Sequence, residues 1–315
     1  MEILYSGLCE TVIGASHIES GKICQDASAF KIHEKYAIAV VADGHGSKRH
    51  FRSDIGSKIA VNVVLHTVSE FFKNFEEFKL NFKEYPQKII KKIQKHIITN
   101  WNKEIFIYHE NNPVNANERK ELTDEEYEKL KVESIYGSTL IVAVMSEDFC
   151  FGLQIGDGSL VVLNANAKAE MPIIDDESCP ANLTASLCNT KAIDMFNFVY
   201  RFNKPLAMFV STDGLYTSFN SEDDFKDYHN IIASQLHDVE TLQPSIKNNL
   251  TKRTSYGSKD DISLSIIFDE EMLNAKMYYI KEQILVNKNR AGIREAEQRA
   301  KLLKQKAKMA SMQEE

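Results

Sequence analysis

The chain has 315 residues, long enough to bury a large core in one domain of roughly 250 residues plus an appendage. Hydrophobic residues make up 43% and charged residues 26%, the ordinary balance of a soluble globular protein. The formal net charge of -7 argues against a general nucleic-acid binder.

Residues 3–13 and 27–42 alternate or run apolar with β-branched side chains, so they are predicted strands separated by a polar loop over 14–25. The opening Met1-Glu2-Ile3-Leu4 has no basic or long apolar leader. No stretch approaches the roughly 18 apolar residues of a membrane span. A cytoplasmic protein with no membrane partner is therefore expected. Over 54–72, Ile55, Ile59 and Val63 keep a helical period, with Ser53 or Asp54 as N-cap. A second helix is predicted over 86–108, with Pro86 in its first turn. Residues 111–133 are polar and read as a surface connection, partly helical from Thr123, whose acidic run is a solvated face.

Strands return at 137–144 and 149–163, the latter interrupted at Gly156-Asp157-Gly158. The stretch 164–204 is mixed, with strands predicted at 198–202 and 207–211. Helical patterns follow over 223–236 and 242–251, and the last strand covers 262–268. From Glu270 onward Lys, Arg, Glu, Gln and Ala dominate, which predicts one long helix or a pair. Two parts are thus expected: a folded unit over 1–269 and a charged helical extension over 270–315. The extension reads as a solvated tail, with a partner-binding helix as the alternative. This order lacks strict βαβ alternation. It suits an α+β fold, an antiparallel β-sandwich flanked by α-helices.

The five cysteines, Cys9, Cys24, Cys150, Cys179 and Cys188, are odd in number and form no CxxC pair. A disulfide framework or zinc ribbon is not expected, and a reducing compartment fits. Cys9 and Cys150 read as buried thiols.

Four aspartates share one kind of setting. Asp43, Asp157 and Asp213 each follow a strand-like run and precede a glycine, and Asp260 stands just before the last strand. A single Asp-Gly after a strand is ordinarily a turn. The repetition is the signal, because several aspartates in one site repel unless a cation joins them. Hard ions such as Mg²⁺ and Mn²⁺ take oxygen ligands. Two such ions can lower the pKa of a shared water and aim it at phosphorus.

In fixed order the chain carries Gln25-Asp26, Asp43-Gly44-His45-Gly46, Gly137-Ser138-Thr139, Gly156-Asp157, Thr212-Asp213-Gly214 and Gly257-Ser258-Lys259-Asp260-Asp261. This series resembles the metal-dependent protein serine/threonine phosphatases of type 2C. Residues 14–26 resemble their divergent bacterial branch, and the resemblance spans about residues 6–268. It implies a sandwich of two antiparallel sheets with the metal site at one edge. It implies that Asp43 bridges two Mn²⁺ or Mg²⁺ ions and that the Gly44 carbonyl binds the second. Asp213 and Asp260 would complete the first, and Asp26 would orient the water shell of the second. Asp157 with Asp213 resembles the ligands of a third ion found in many members. Asp261 stands where the family usually has Asn and would support Asp260.

The resemblance further implies hydrolysis of phosphoserine or phosphothreonine in a phosphoprotein, opposite a serine/threonine kinase. His45 would protonate the leaving alkoxide, since an ordinary imidazole pKa near 6.5 leaves both protonation states accessible at neutral pH. Two departures stand out. Gln25 replaces a frequent Glu, and Gly21 replaces a phosphate-gripping Arg. Lys22 or His17 could contact the phosphate instead, with Arg49 and Arg52 as further candidates. The departures keep a second reading open, a catalytically weak or inactive regulatory module. A third is a phosphoesterase for a small metabolite.

Overall fold

The computed structural model describes residues 5–173 and 184–313. Cys179, the four residues of the expected N-terminus and the last two of the tail lie outside the described residues. In chain order the elements begin with strand β1 (Tyr5–Val12), helix α1 (Ala15–Ser20), β2 (Ala27–His33) and β3 (Tyr36–Ala42). Helices α2 (Ser53–Phe71), α3 (Phe75–Glu84) and α4 (Pro86–Asn111) follow, then the short α5 (Asp124–Glu128) and α6 (Val132–Ile135). Next come β4 (Leu140–Ser146), β5 (Cys150–Ile155), β6 (Ser159–Leu163), β7 (Ala169–Glu170), β8 (Asn197–Arg201) and β9 (Ala207–Ser211). The last part holds α7 (Asp213–Tyr216), α8 (Glu222–Ala233), α9 (Val239–Arg253), β10 (Ile262–Asp269), α10 (Glu270–Ala275) and α11 (Met277–Gln313).

The strands form two antiparallel sheets, ordered β1-β10-β9-β6-β7 and β2-β3-β4-β5-β8. Every residue of β3 and of β10 is buried, and each strand has neighbours on both sides. The two-residue period divides their side chains between two faces. From β3, Ala37, Ala39 and Val41 meet Met208, Val210 and Ile267 of the opposite sheet. Ile38, Val40 and Ala42 face the helical layer that carries Trp101, Ile93 and Ile97. On the far side, α8, α9 and the start of α11 cover the first sheet through Phe225, Ile246 and Ile280. The expected sandwich with outer helices is the observed fold.

Several boundaries differ from the sequence reading. The strand expected over 27–42 is a hairpin, broken at Glu34-Lys35 between β2 and β3. The polar loop over 14–25 contains α1, which buries none of its side chains and so leaves no apolar period to see. Helix α3 was not expected. Its surface is charged, but Phe78 and Phe82 lie one turn apart on its buried face and Asn74 caps it by accepting from Glu77 N–H. The connection over 111–133 is helical from Thr123 as expected, because Thr123 and Glu126 form a reciprocal capping box. Among the described residues, Cys9, Cys24, Cys150 and Cys188 are free thiols. None of the described helices is long and apolar enough to cross a membrane.

The C-terminal segment starts inside the core. Leu273 and Ile280 are fully buried with the α8–α9 layer, and Asn287 donates to Asn230 at 3.3 Å. Arg290 pairs with Asp227 at 2.7 Å, and Arg294 with Asp223 at 2.5 Å and Asp224 at 2.9 Å. Beyond these contacts α11 carries exposed Leu302 and Leu303.

His229 on α8 is fully buried between the rings of Phe209 and Phe225. Its Nδ1 donates to the Phe225 carbonyl at 2.7 Å, and Nε2 has no partner. Burial lowers its pKa from 6.5 to about 4. The folded state therefore favours the neutral ring. That stabilisation is complete above pH 6.5 and is lost as the pH falls from 6.5 towards 4, a swing on the order of 3 kcal/mol. In His229→Phe, denaturant midpoints measured across this window should fall less steeply with acid than in the wild type. Parallel curves would show that His229 does not carry the acid sensitivity.

Candidate active site

The acidic residues gather at strand ends from both sheets. Asp43 follows β3 and Asp157 follows β5 in one sheet. Asp213 follows β9 and Asp260 precedes β10 in the other. Carboxylate oxygens of Asp43, Asp157 and Asp213 lie within 4.8 Å of one another. With Asp260, Asp261, Gly44, His45, His17 and Gln25 they line a cleft of about 270 Å³. The structure thus brings together the expected site residues except Asp26, Lys22 and the further candidates Arg49 and Arg52. The tightest trio contains Asp157 rather than Asp260.

Backbone pairing fixes the Asp43 turn. Asp43 N–H donates to Thr139 Oγ1 at 3.0 Å, and Thr139 N–H returns to the Asp43 carbonyl at 2.8 Å. His45 N–H donates to the Gly137 carbonyl at 3.2 Å, and Gly44 N–H to the Gln25 carbonyl at 3.2 Å. The Gly137-Ser138-Thr139 motif is therefore the clamp that holds the aspartate turn. The other two acidic segments touch directly. A Cβ on Gly214 would come 2.1 Å from the Asp261 carbonyl oxygen, so no larger residue fits there.

Asp26 stands behind the cleft wall, 4% exposed, and accepts from Thr212 Oγ1 at 2.7 Å. Burial pushes its carboxyl well above the usual range, and Asp261, Asp213 and Asp260 add repulsion. Asp43 is raised in the same direction by burial, then by Asp26, Asp213 and Asp260. Asp213 is raised to about 6, by burial first and then by Asp157 and Asp260. Asp157 accepts from Thr184 Oγ1 at 2.9 Å. Asp260 accepts from Asp261 N–H at 2.9 Å.

Asp261 is 3% exposed and is the most thoroughly bonded of these acids. It accepts from Gly14 N–H at 2.6 Å, Gln25 N–H at 2.7 Å and His17 Nδ1 at 2.9 Å. It thereby ties the β1–α1 corner to the Asp260 loop.

Other expectations are corrected. Lys22 lies beyond the end of α1, exposed, and does not line the cleft. Arg49 is likewise exposed and outside it. Arg52 is 6% exposed. Its Nε and Nη2 bind Glu118 at 2.7 and 3.0 Å, and its Nη1 donates to the Asn112 carbonyl and Tyr136 Oη. It braces the 111–135 connection and does not line the cleft. His45 lines the cleft, but burial and the neighbouring His50, 5.0 Å away ring to ring, lower its pKa to about 4. The free protein therefore holds it neutral at pH 7. Thr139, Thr184 and Thr212, which orient Asp43, Asp157 and Asp26, were not assigned roles from sequence. Two of them sit in quoted motifs, whereas Thr184 carries no local signal.

The donor set is all oxygen, converges from four segments and is held against its own repulsion. A divalent hard cation relieves that repulsion, so the residues fit Mn²⁺ or Mg²⁺. Among the described residues lining the cleft there is no Lys or Arg.

The model of the family Protein phosphatase 2C matches residues 13–251. No curated protein sequence matches the chain significantly. Among solved structures, the S. agalactiae serine/threonine phosphatase superposes with a TM-score of 0.54 at 14% identity, covering 85% of this chain and 100% of that one. PppA of Pseudomonas aeruginosa, described as a key regulatory component of T6SS, gives 0.53 at 14%, covering 85% and 100%. The serine-threonine phosphatase 2C of Toxoplasma gondii gives 0.51 at 13%, covering 85% and 97%. At these identities the superpositions speak for the fold. With the family match running over most of the chain and the acidic cleft at the sandwich edge, the chain belongs to the protein phosphatase 2C family.

Proposed function

We propose that this chain is a working phosphoprotein phosphatase that hydrolyses phosphoserine and phosphothreonine with Mn²⁺ or Mg²⁺. The observation that carries this reading is the convergence of Asp43, Asp157 and Asp213 in one cleft at the sandwich edge. Asp43, the Gly44 carbonyl, Asp213 and Asp260 would hold two ions. Asp157 with Asp213 would hold a third. When bound, the ions acidify a water and neutralise charge on the phosphoryl oxygens.

The protein's own groups do the rest. Thr212 holds Asp26 in place to orient the surrounding waters. With Nδ1 engaged by Asp261, His17 is left with Nε2 for a phosphoryl oxygen. It takes the place that Lys22 does not reach. His45 donates its proton to the leaving seryl or threonyl oxygen. Because burial keeps the free imidazole neutral, that proton is favoured only once the dianionic phosphate enters the cleft. The catalytic unit spans 1–269, in the cytoplasm, opposite a serine/threonine kinase, and α11 offers a surface for a partner. The weak or inactive regulatory module remains the second reading, favoured by the neutral His45 and by the lack of an Arg among the described residues of the cleft.

Two outcomes are expected. With Mn²⁺ the protein should hydrolyse a phenyl phosphate ester and a phosphothreonine peptide. A chelator should stop both, and Asp43→Asn should lower kcat by about 100-fold or more. Activity surviving both treatments would overturn the assignment, and no activity at any metal concentration would favour the regulatory module. Second, His17→Ala should raise KM for a phosphopeptide about tenfold, the loss of one charge-assisted hydrogen bond, with Lys22→Ala near wild type. The reverse order would return the phosphate contact to Lys22.

A further inference from the structure

Two metal-bearing segments that repel each other must be held together by something other than the ions. Asp213 opens α7, and the chain leaves that helix through Ser218 and Phe219. Asp260 sits at the end of a loop that begins at Thr254, directly after α9. The carboxylates of Asp213 and Asp260 push against each other. Yet their segments are in contact at Gly214, and again further out, where a Cβ on Gly257 would lie 3.0 Å from Ser218 Cβ.

Arg253, the last residue of α9, spans this outer contact. Its guanidinium carbon lies 3.7 Å from the Phe219 ring centroid and 4.6 Å from that of Tyr228. Its Nε donates to Asn249 Oδ1 at 3.0 Å, and its Nη1 donates to Ser218 Oγ at 3.3 Å. That same Ser218 hydroxyl donates to the Leu215 carbonyl at 2.7 Å, inside the turn that Asp213 begins. The next residue, Thr254, accepts from Ala15 N–H at 2.8 Å and, through its carbonyl, from Lys259 N–H at 3.0 Å. One side chain therefore joins the exit of the Asp213 segment to the entrance of the Asp260 segment. Arg253 forms no ion pair with any described carboxylate, although Asp224 and Asp227 border the same cavity. Those acids are taken by Arg290 and Arg294 of α11, and Ile284 and Asn287 of α11 close that cavity beside Arg253.

The geometry points to Arg253 as a positioning residue for the metal site: it sets the spacing of Asp213 and Asp260, and α11 keeps it in place. The inference rests on the metal-dependent reading above. A guanidinium held against two adjoining rings, with donors fixed on two segments, resists the separation that carboxylate repulsion favours. An ammonium on a flexible stem keeps the charge but loses the fork.

The test is calorimetric titration of Mn²⁺ into the full-length metal-free protein, its Arg253→Met and Arg253→Lys variants, with thermal midpoints recorded for each. Wild type should bind. Arg253→Met should bind about tenfold more weakly, the usual cost of losing a group that orients a metal ligand, and Arg253→Lys should fall between. In activity assays the Mn²⁺ concentration for half-maximal rate should rise in the same order, with kcat at saturating Mn²⁺ little changed. A lowered thermal midpoint with wild-type Mn²⁺ affinity would overturn the clamp and leave Arg253 a packing residue. Absence of Mn²⁺ binding by the wild type would overturn the metal-dependent reading and the clamp together. Should Arg253→Met fail to fold, Ser218→Ala removes the acceptor on the Asp213 side alone. It should weaken Mn²⁺ binding in the same direction, and unchanged binding there would equally overturn the clamp.

Discussion

Repulsion among carboxylates is the constraint around which this molecule is arranged. Asp43, Asp157 and Asp213 bring oxygens within 4.8 Å of one another, and Asp26 adds a further charge that is almost fully buried. Such a cluster survives only on a frame stiffer than the force that opens it. The frame is the pair of central strands β3 and β10, buried along their whole length and packed face to face through small residues such as Ala37 and Ala39. Close packing of this kind transmits strain instead of yielding to it. Because two of the four strand-end aspartates come from each sheet, the distance between sheets sets the distance between ligands.

The second consequence is electrostatic. A phosphorylated substrate is an anion, and the cleft that would receive it has carboxylates and, among its described residues, no Lys or Arg on its walls. Attraction must then come from cations and from histidine. His17 is anchored by a carboxylate that also holds two backbone N–H groups, whereas His45 is half-buried beside His50 and kept neutral. Two histidines in one cleft are thereby held in different electrostatic surroundings.

Much of this could be read in the chain. The order of the aspartate motifs carried the family and the site, and the apolar runs at 36–42 and 262–268 carried the core strands. What could not be read has physical causes. Helix α1 buries nothing, so no periodicity marks it, and α3 hides its Phe78–Phe82 face within a charged segment. Lys22 and Arg52 looked equivalent as phosphate contacts, because sequence gives charge and not direction. One proved exposed beyond α1, and the other is locked to Glu118. The pKa of His45 depends on His50 and on burial, neither visible in a tetrapeptide. Thr212 and Thr139 act through partners 186 and 96 residues away, a separation that only the folded sheet closes.

The carboxylate cluster is a destabilising arrangement that a divalent cation would relieve. Thermal unfolding at neutral pH, wild type against Asp43→Asn, each with chelator and with Mn²⁺, tests it most directly. Without the ion, Asp43→Asn should melt higher than the wild type, since it removes a buried charge whose neighbours repel it. With Mn²⁺ the order should reverse, because only the wild type gains binding free energy. A wild type that melts above the variant without metal, and is indifferent to Mn²⁺, would contradict the account.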